Sequence, residues 1–182
     1  MPYKEKSTNK KGFSLIEVLF SLGMFVLGIF GVVSLMYGEM TKSMDRRNEA
    51  IAGALAQEGI EMVRNIRDNN WQISGRDAFE NIGNKTNGII DCDNNDAVND
   101  VGISGYSLYF KNGKYVHDSS GNATHFSRRI KVEGDSDRKV ITSVTTWGGN
   151  TPPDDPNGSN CDFSKKCFFI EATLDGEWGK ED

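Results

Sequence analysis

Residues suited to metal binding or redox chemistry are scarce in this chain of 182 residues. It has three cysteines, Cys92, Cys161 and Cys167, and two histidines, His117 and His125. No two cysteines form a Cys-x-x-Cys pair, and the histidines stand apart from them, so the spacing argues against a structural zinc site. In an extracytoplasmic domain, three cysteines indicate one disulfide and one further thiol.

Catalytic motifs are also missing. The chain has no nucleophile motif, no phosphate-binding loop and no histidine cluster with metal-ligand spacing, and we expect both histidines at the surface, on or near strands. The net charge is −5, and it becomes −8 when the lysine-rich first twelve residues are set aside. An acidic chain does not offer the basic face that nucleic acids require. We therefore expect neither an enzyme nor a nucleic-acid-binding protein.

Charge is absent from the segment between Val18 and Tyr37, whose sequence is VLFSLGMFVLGIFGVVSLMY. As a helix, a run of twenty residues spans about 30 Å, which is the thickness of the hydrocarbon core of a bilayer. Lysines precede the run and most of the chain follows it. This order predicts a single-pass anchor in the inner or cytoplasmic membrane, with a cytoplasmic N-terminus and an extracytoplasmic C-terminal domain.

The apolar run does not match three alternative kinds of segment. A cleaved secretory signal has a shorter apolar stretch followed by a small-x-small site, and the segment from Gly38 to Met44 offers none. A lipoprotein signal needs a cysteine beside the run, and none is there. A buried core helix without charge over this length is too long for a domain of this size.

The cytoplasmic edge of the run carries a specific motif. The sequence from Lys10 to Leu19, KKGFSLIEVL, resembles the type III signal of type IV prepilins and type II secretion pseudopilins. The resemblance implies that a prepilin peptidase cuts between Gly12 and Phe13 and then methylates the new N-terminus at Phe13. It also implies that Glu17 is the intramembrane carboxylate that aligns subunits during assembly.

The chemistry of these positions agrees with the implied roles. Glycine lets a peptidase hold the backbone extended at the membrane surface, and Glu17, one turn after Phe13, suits the positive end of a helix. A carboxylate inside a bilayer needs a partner, which the resemblance gives as the N-terminal ammonium of a neighbouring subunit. The alternative is that Glu17 reaches to the headgroups at the end of an ordinary anchor.

The helix is expected to continue beyond the membrane. Between Gly38 and Asn70 there is no proline, apolar residues recur at helical spacing, and Asp68 to Asn70 form a stop. Alternating strands follow, two of them joined by an Asn-Gly turn at Lys111 to Lys114. The expected fold is α+β and pilin-like, with a long helix packed on an antiparallel meander. The expected divisions are 1–12 as leader, 13–38 as the transmembrane half of the helix, 39–68 as its amphipathic half, 69–104 as an Asn/Asp/Gly-rich loop region, and 105–182 as the sheet domain.

Two further sites are candidates by pattern. Asp91, Asp93 and Asn95 alternate as oxygen ligands do in calcium loops, but the glycine at the sixth place and the acid at the twelfth are missing, so a solvated acidic loop is the alternative. Cys161 and Cys167 bracket a short segment that a disulfide would close, while pairing of Cys92 with either of them stays open. Apart from calcium, no cofactor is expected.

Together these features predict a non-catalytic structural subunit of a type IV pilus-like filament, either a minor pilin or a pseudopilin. Looser similarity at Ala56 to Asp68 favours a minor subunit. The implied partners are prepilin peptidase, other pilins or pseudopilins and an inner-membrane assembly platform. The alternative is a membrane-anchored extracytoplasmic binding domain or adhesin that does not assemble. Gly12 discriminates between the two, because only a prepilin depends on that residue for processing.

Overall fold

The structure is a computed structural model that describes residues 12–92 and 94–177, with the backbone alone described at 94–96, 103 and 104. The chain divides into two compact units, Met1–Met44 and Asp45–Asp182. The boundary lies within one long helix, α1 (Leu15–Trp71). Seven antiparallel strands follow α1. This confirms the predicted α+β class.

The first turn of α1 forms on Ser14. Its backbone carbonyl accepts hydrogen bonds from the amides of Glu17 and Val18, at 3.0 and 3.3 Å. No proline occurs in the 57 residues of the helix, so no main-chain hydrogen bond is lost along its length.

The end of α1 lies at Trp71, one residue beyond the predicted stop at 68–70. The reason is tertiary. The buried side chain of Asn70 donates from Nδ2 to the backbone carbonyls of Ala78 and Glu80, at 3.0 and 2.9 Å. These bonds hold Asn70 in the helix and direct the chain that follows it.

The strands account for most of the chain beyond residue 84. They are β1 (Lys85–Asp91), β2 (Asn94–Asp100), β3 (Ser107–Lys111), β4 (Lys114–Val116), β5 (Asn122–Gly134), β6 (Arg138–Trp147) and β7 (Cys167–Asp175). Two short 3-10 turns lie at Ile103–Tyr106 and Phe163–Lys165.

The prediction of a loop at 69–104 is wrong, because β1 and β2 lie within that segment. β1 pairs with β5, and Gly88 lies opposite Ile130. A Cβ at Gly88 would come within 2.7 Å of the Ile130 carbonyl oxygen. The glycine that indicated a loop is therefore needed for close approach of two strands.

The hairpin between β3 and β4 has the predicted turn. Asn112 and Gly113 at its tip have φ of 52° and 83°, and positive φ at both central residues is what a two-residue turn with the twist of the flanking strands requires. Phe110 and Tyr115 are paired across it.

The topology is a meander only in part. β5, β6 and β7 are consecutive neighbours, but β5 pairs with β3 instead of β4. One edge of β5 pairs with β6 throughout, from Phe126 to Gly134. The other edge pairs with β3 through the first half of β5 and with β1 through the second half. Arg128 lies where β3 and β1 meet along this edge.

The part of α1 beyond Asp45 packs on one face of the sheet. Its buried residues recur with helical spacing and confirm the predicted apolar stripe; they are Ala52, Leu55, Ala56, Gly59, Ile60, Met62, Val63, Ile66 and Asn70. They meet the even-numbered residues of β5, including Phe126, Ile130 and Val132. Two adjoining clusters of apolar side chains therefore form the core between helix and sheet.

The opposite face of the sheet is covered by the segment between β6 and β7. Val144 packs there against Cys161 and Cys167. The fully buried Arg129 donates to the Asp154 carboxylate and to the Pro153 carbonyl. A buried guanidinium thus anchors this proline-containing segment to the centre of β5.

The fit of α1 against the sheet depends on Gly59. A Cβ there would lie 2.6 Å from Ser143 Oγ and 2.7 Å from Ile130 Cδ1, whereas a Cβ at Gly53 would lie 3.5 Å from the Phe168 ring.

We expect Gly59→Ala to lower the free energy of unfolding by about 1–3 kcal/mol through overpacking. Gly53→Ala should leave it unchanged or raise it by up to about 1 kcal/mol through helix propensity.

Urea unfolding of the full chain in detergent micelles, followed by tryptophan fluorescence, measures both variants. Equal effects of the two substitutions would contradict this account of the helix–sheet contact.

Candidate functional site

The predicted cleavage site lies immediately before α1. Gly12 and Phe13 precede the helix, and Phe13 is 84% exposed. Glu17 occupies the first turn and is exposed, and the Ser21 hydroxyl donates to its backbone carbonyl. The free amides of a first helical turn carry partial positive charge. The structure therefore places the Glu17 carboxylate one turn from Phe13, at the positive end of the helix.

The described part of the first unit, residues 12–44, exposes a continuous apolar surface. Every residue from Gly12 to Met44 is exposed, including Phe20, Leu27 and Leu35 at 71%, 73% and 74%. α1 is long and apolar enough, by length and composition, to cross a membrane. A continuous apolar patch on this scale needs lipid or another apolar surface around it.

Two glycines leave shallow grooves along this surface. Ile16, Phe20 and Leu27 are among the residues that flank the groove at Gly23, and a second groove lies at Gly28. A Cβ at either glycine would meet no other atom within 4 Å. Such grooves allow a second helix to approach an apolar helix closely.

Of the three candidate calcium ligands, only the side chain of Asp91 is described, and it binds His117. The Asp91 carboxylate accepts hydrogen bonds from the backbone amide and Nδ1 of His117, at 2.9 and 2.6 Å. Asp93 and the side chain of Asn95 lie outside the described residues. Among the residues that are described, no group of three or more His, Cys, Asp or Glu side chains could hold a metal ion.

The position of His117 corrects the prediction of a surface histidine, because its side chain is only 3% exposed. Its Nδ1 faces the Asp91 carboxylate, and its Nε2 lies 3.2 Å from the backbone carbonyl of Arg128. Both neighbours are acceptors, so the imidazolium form satisfies both ring nitrogens. His125 is exposed, as predicted, with Nε2 3.3 Å from Asn48 Oδ1.

Arg128 connects this histidine to the rest of the fold. Its fully buried guanidinium donates to Ile90 O at 2.8 Å, to Leu55 O at 3.3 Å and to Glu58 Oε2 at 3.1 Å. Burial lowers the pKa of Arg128, and the charges of Glu58 and Asp91 oppose that shift. α1, β1 and β5 are therefore joined by one charged group.

The sequence did not predict this network. One indication of it is visible there, because the charged Arg128 interrupts the apolar face of β5 between Phe126 and Ile130. The partners Glu58, Asp91 and His117 are distant in sequence, and no local pattern links them to Arg128.

The disulfide joins Cys161 and Cys167, whose Cα atoms are 4.9 Å apart. Cys92 is not part of it. The bond closes the segment before β7 and lies against Val144 on the face of the sheet opposite to α1.

A polar cleft of about 270 Å³ lies on this opposite face, near the start of β5. Its lining includes Tyr106, Thr124, His125 and Ser127. The Thr124 hydroxyl already donates to the Leu108 carbonyl, at 2.6 Å. Among the described residues, the lining contains no carboxylate, lysine or arginine.

No family model, curated protein or solved structure matches the chain.

The Asp91 contacts predict a pH effect. Burial raises the pKa of the Asp91 carboxyl, but the hydrogen bonds from His117 and the charges of His117 and Arg128 outweigh it, so the pKa lies below its ordinary value of 3.8. A depressed pKa contributes stability that is fully present above the ordinary value and is lost as the pH falls through the lowered one. We expect Asp91→Asn to unfold more easily than the wild type near neutral pH, and the difference to shrink as the pH falls below about 5 and through the lowered pKa of Asp91.

Urea unfolding at each pH measures this difference, and Asp118→Asn is the matched control. A hydrogen bond from Lys111 and others from Ser120 also hold the pKa of Asp118 below its ordinary range, but Asp118 is exposed. High salt should therefore reduce the difference in stability between Asp118→Asn and the wild type. It should leave most of the difference between Asp91→Asn and the wild type. An Asp91→Asn difference that does not change with pH would contradict the prediction.

Proposed function

We propose that this chain is a non-catalytic subunit of a type IV pilus-like filament. In this proposal the chain inserts into the inner or cytoplasmic membrane through the first half of α1. Prepilin peptidase removes residues 1–12 and methylates Phe13. The subunit then leaves the bilayer and packs its apolar helix against the helices of other subunits, at an inner-membrane assembly platform.

One observation carries the proposal: the exposed, uncharged run from Val18 to Tyr37 follows the Lys-Gly-Phe motif, and the Glu17 carboxylate lies at the edge of this run, one turn from Phe13. A simple anchor also needs the apolar surface. It has no need for a glycine at the membrane edge or for an acid at this position, where burial in lipid is costly. The combination therefore favours a prepilin over a simple tether.

The proposed role of Glu17 follows from charge balance. A carboxylate in an apolar surrounding is stabilised by a nearby cation. Cleavage after Gly12 creates an ammonium group at Phe13. The N-terminal ammonium of one subunit can then pair with Glu17 of its neighbour, which sets the axial position of the two helices before their apolar surfaces come together.

Within the filament family we place the chain among the minor pilins and pseudopilins. The support is the looser sequence similarity at residues 56–68. In either role the second unit lies on the outer side of the membrane, and its sheet and loops face away from the helical core of the filament.

The first test is the intact mass of the protein from membranes that contain prepilin peptidase. We expect the mass to correspond to loss of residues 1–12 and addition of one methyl group. Gly12→Glu should abolish both changes, because a side chain at this position obstructs the extended backbone in the peptidase. The matched control is Gly38→Glu, at the other end of the apolar run, where an added Cβ meets nothing within 4 Å.

The control should be cleaved like the wild type. A wild-type chain that keeps its first twelve residues under these conditions would overturn the proposal and leave a single-pass anchor.

The second test concerns Glu17. We expect Glu17→Gln to be cleaved normally but to enter sheared filaments at least about tenfold less, since loss of one buried charge pair costs a few kcal/mol. Glu39→Gln is the matched control, because Glu39 lies on the same helix, is exposed, and pairs with Lys42 only locally, at 3.5 Å. Immunoblots of sheared filaments and membranes measure the ratio. Equal incorporation of the two variants would show that Glu17 has no part in assembly.

A further inference from the structure

Three strands of the sheet, β2, β4 and β7, have one strand neighbour each among the described residues. Proteins usually blunt such edges by shortness, bulges, charge or a covering segment. β2 is blunted, because its register with β1 shifts and the Val98 amide donates to the Asn81 carbonyl at 3.1 Å. β4 is blunted by its length of three residues.

β7 is longer than β4 and, unlike β2, keeps a regular register; its only charged residues are Glu171 and Asp175. It contains nine residues without proline or lysine. It pairs with β6 in unbroken register from Arg138–Asp175 to Thr146–Cys167. A long, regular edge strand of this kind is suited to accept a further strand.

Two hydrogen bonds establish which backbone groups of β7 face outward. The Trp147 amide donates to the Lys166 carbonyl at 3.0 Å, and the Gly176 amide donates to the Asp137 carbonyl at 2.6 Å. In an antiparallel pair, every second residue of a strand bonds to its neighbour. Lys166 and Gly176 are both even-numbered, so the even-numbered residues of β7 bond to β6. The odd-numbered residues Phe169, Glu171 and Thr173 therefore direct their amides and carbonyls away from the sheet.

The two ends of this edge are closed by the chain itself. The Cys167 amide donates to the Asp162 carbonyl at 3.1 Å. The Asp175 carbonyl accepts from Arg67 Nη1 at 3.5 Å. The open edge thus extends from Phe169 to Thr173, about 14 Å of extended chain.

The side chains define what an added strand must carry. Ile170 and Ala172 are half-buried and belong to the rim of the core beneath α1, so a strand beside them extends the apolar layer on that face. Glu171 points to the other face, is exposed, and forms no ion pair with any described residue. A lysine or arginine directly opposite Glu171 complements it.

A second copy of β7 is a poor occupant. Two β7 strands can pair antiparallel through Phe169, Glu171 and Thr173 of each copy. In that register Glu171 of one copy lies directly opposite Glu171 of the other. Like charges directly opposite are destabilising. The shifted registers instead use Cys167 or Asp175, whose outward groups are already bonded.

We propose that the β7 edge is a docking site for an extended segment of a different protein, which adds as an antiparallel strand and places a basic residue opposite Glu171. Its neighbouring residues on the opposite face are apolar and extend the layer formed by Ile170 and Ala172. This inference goes beyond filament assembly and does not depend on it, because it rests only on the second unit.

The test uses amide hydrogen exchange of the full chain in detergent micelles, observed by NMR. The probe is a synthetic peptide of alternating threonine and valine, as long as β7, with lysine in place of the central threonine. Without peptide, the amides of Phe169, Glu171 and Thr173 should exchange fast, while those of Phe168 and Ile170 exchange slowly. Saturating peptide should slow the first three at least about tenfold, because each gains a strand hydrogen bond.

Two variants separate charge from backbone pairing. Glu171→Lys should weaken binding of the lysine peptide roughly threefold or more, and strengthen binding of a matched peptide with glutamate at its centre. Glu171→Pro removes only an outward amide, so it should abolish binding of both peptides while Phe168 and Ile170 stay slow.

Three results would overturn the proposal. One is that the lysine peptide leaves exchange of the three outward amides unchanged. Another is slow exchange without peptide that depends on protein concentration, which would mean self-pairing. The last is slow exchange without peptide that disappears in a chain ending at Glu177, which would mean that the chain covers its own edge.

Discussion

The buried guanidinium of Arg128 is the contact on which the second unit depends. It lies where β3 and β1 meet along one edge of β5, and it binds backbone carbonyls of both α1 and β1. A buried charge needs hydrogen-bond acceptors in place of water. Arg128 has three of them, and its own carbonyl faces His117. Arg128 therefore holds α1, β5 and β1 together, and the apolar core forms around that arrangement.

The first unit follows a different constraint. Its side chains from Gly12 to Met44 are exposed, and most are apolar. Nothing among the described residues of this unit covers them, so the stability of this segment depends on its surroundings. Lipid and a bundle of similar helices both supply an apolar environment. Two acids interrupt this apolar character, Glu17 in the first turn and Glu39 beyond the uncharged run. A carboxylate at the position of Glu17 is costly in lipid unless a cation is nearby.

Predictions from neighbouring residues are wrong where a contact with a distant segment determines the position of a residue. Gly88 indicates a loop, yet its missing side chain lets β1 approach β5. His117 has the surroundings of a surface residue in the sequence, yet it lies between Asp91 and the Arg128 carbonyl. Arg128 itself looks like a defect in the apolar face of β5. In each case the deciding partner is far away in sequence, so no window of neighbouring residues contains the information.

The sequence by itself determined the features that depend on local period and local charge. These are the long helix, the uncovered apolar run with its basic edge, the apolar stripe beyond residue 45, the Asn-Gly hairpin and the final strands. Each follows from one segment's own side chains and from the backbone geometry they favour. Only the tertiary structure decided the order of strands around β5, the placement of β1 and β2, and the buried charges. Strand pairing and the burial of Arg128 depend on contacts between distant segments, and their free energy exists only once those segments have met.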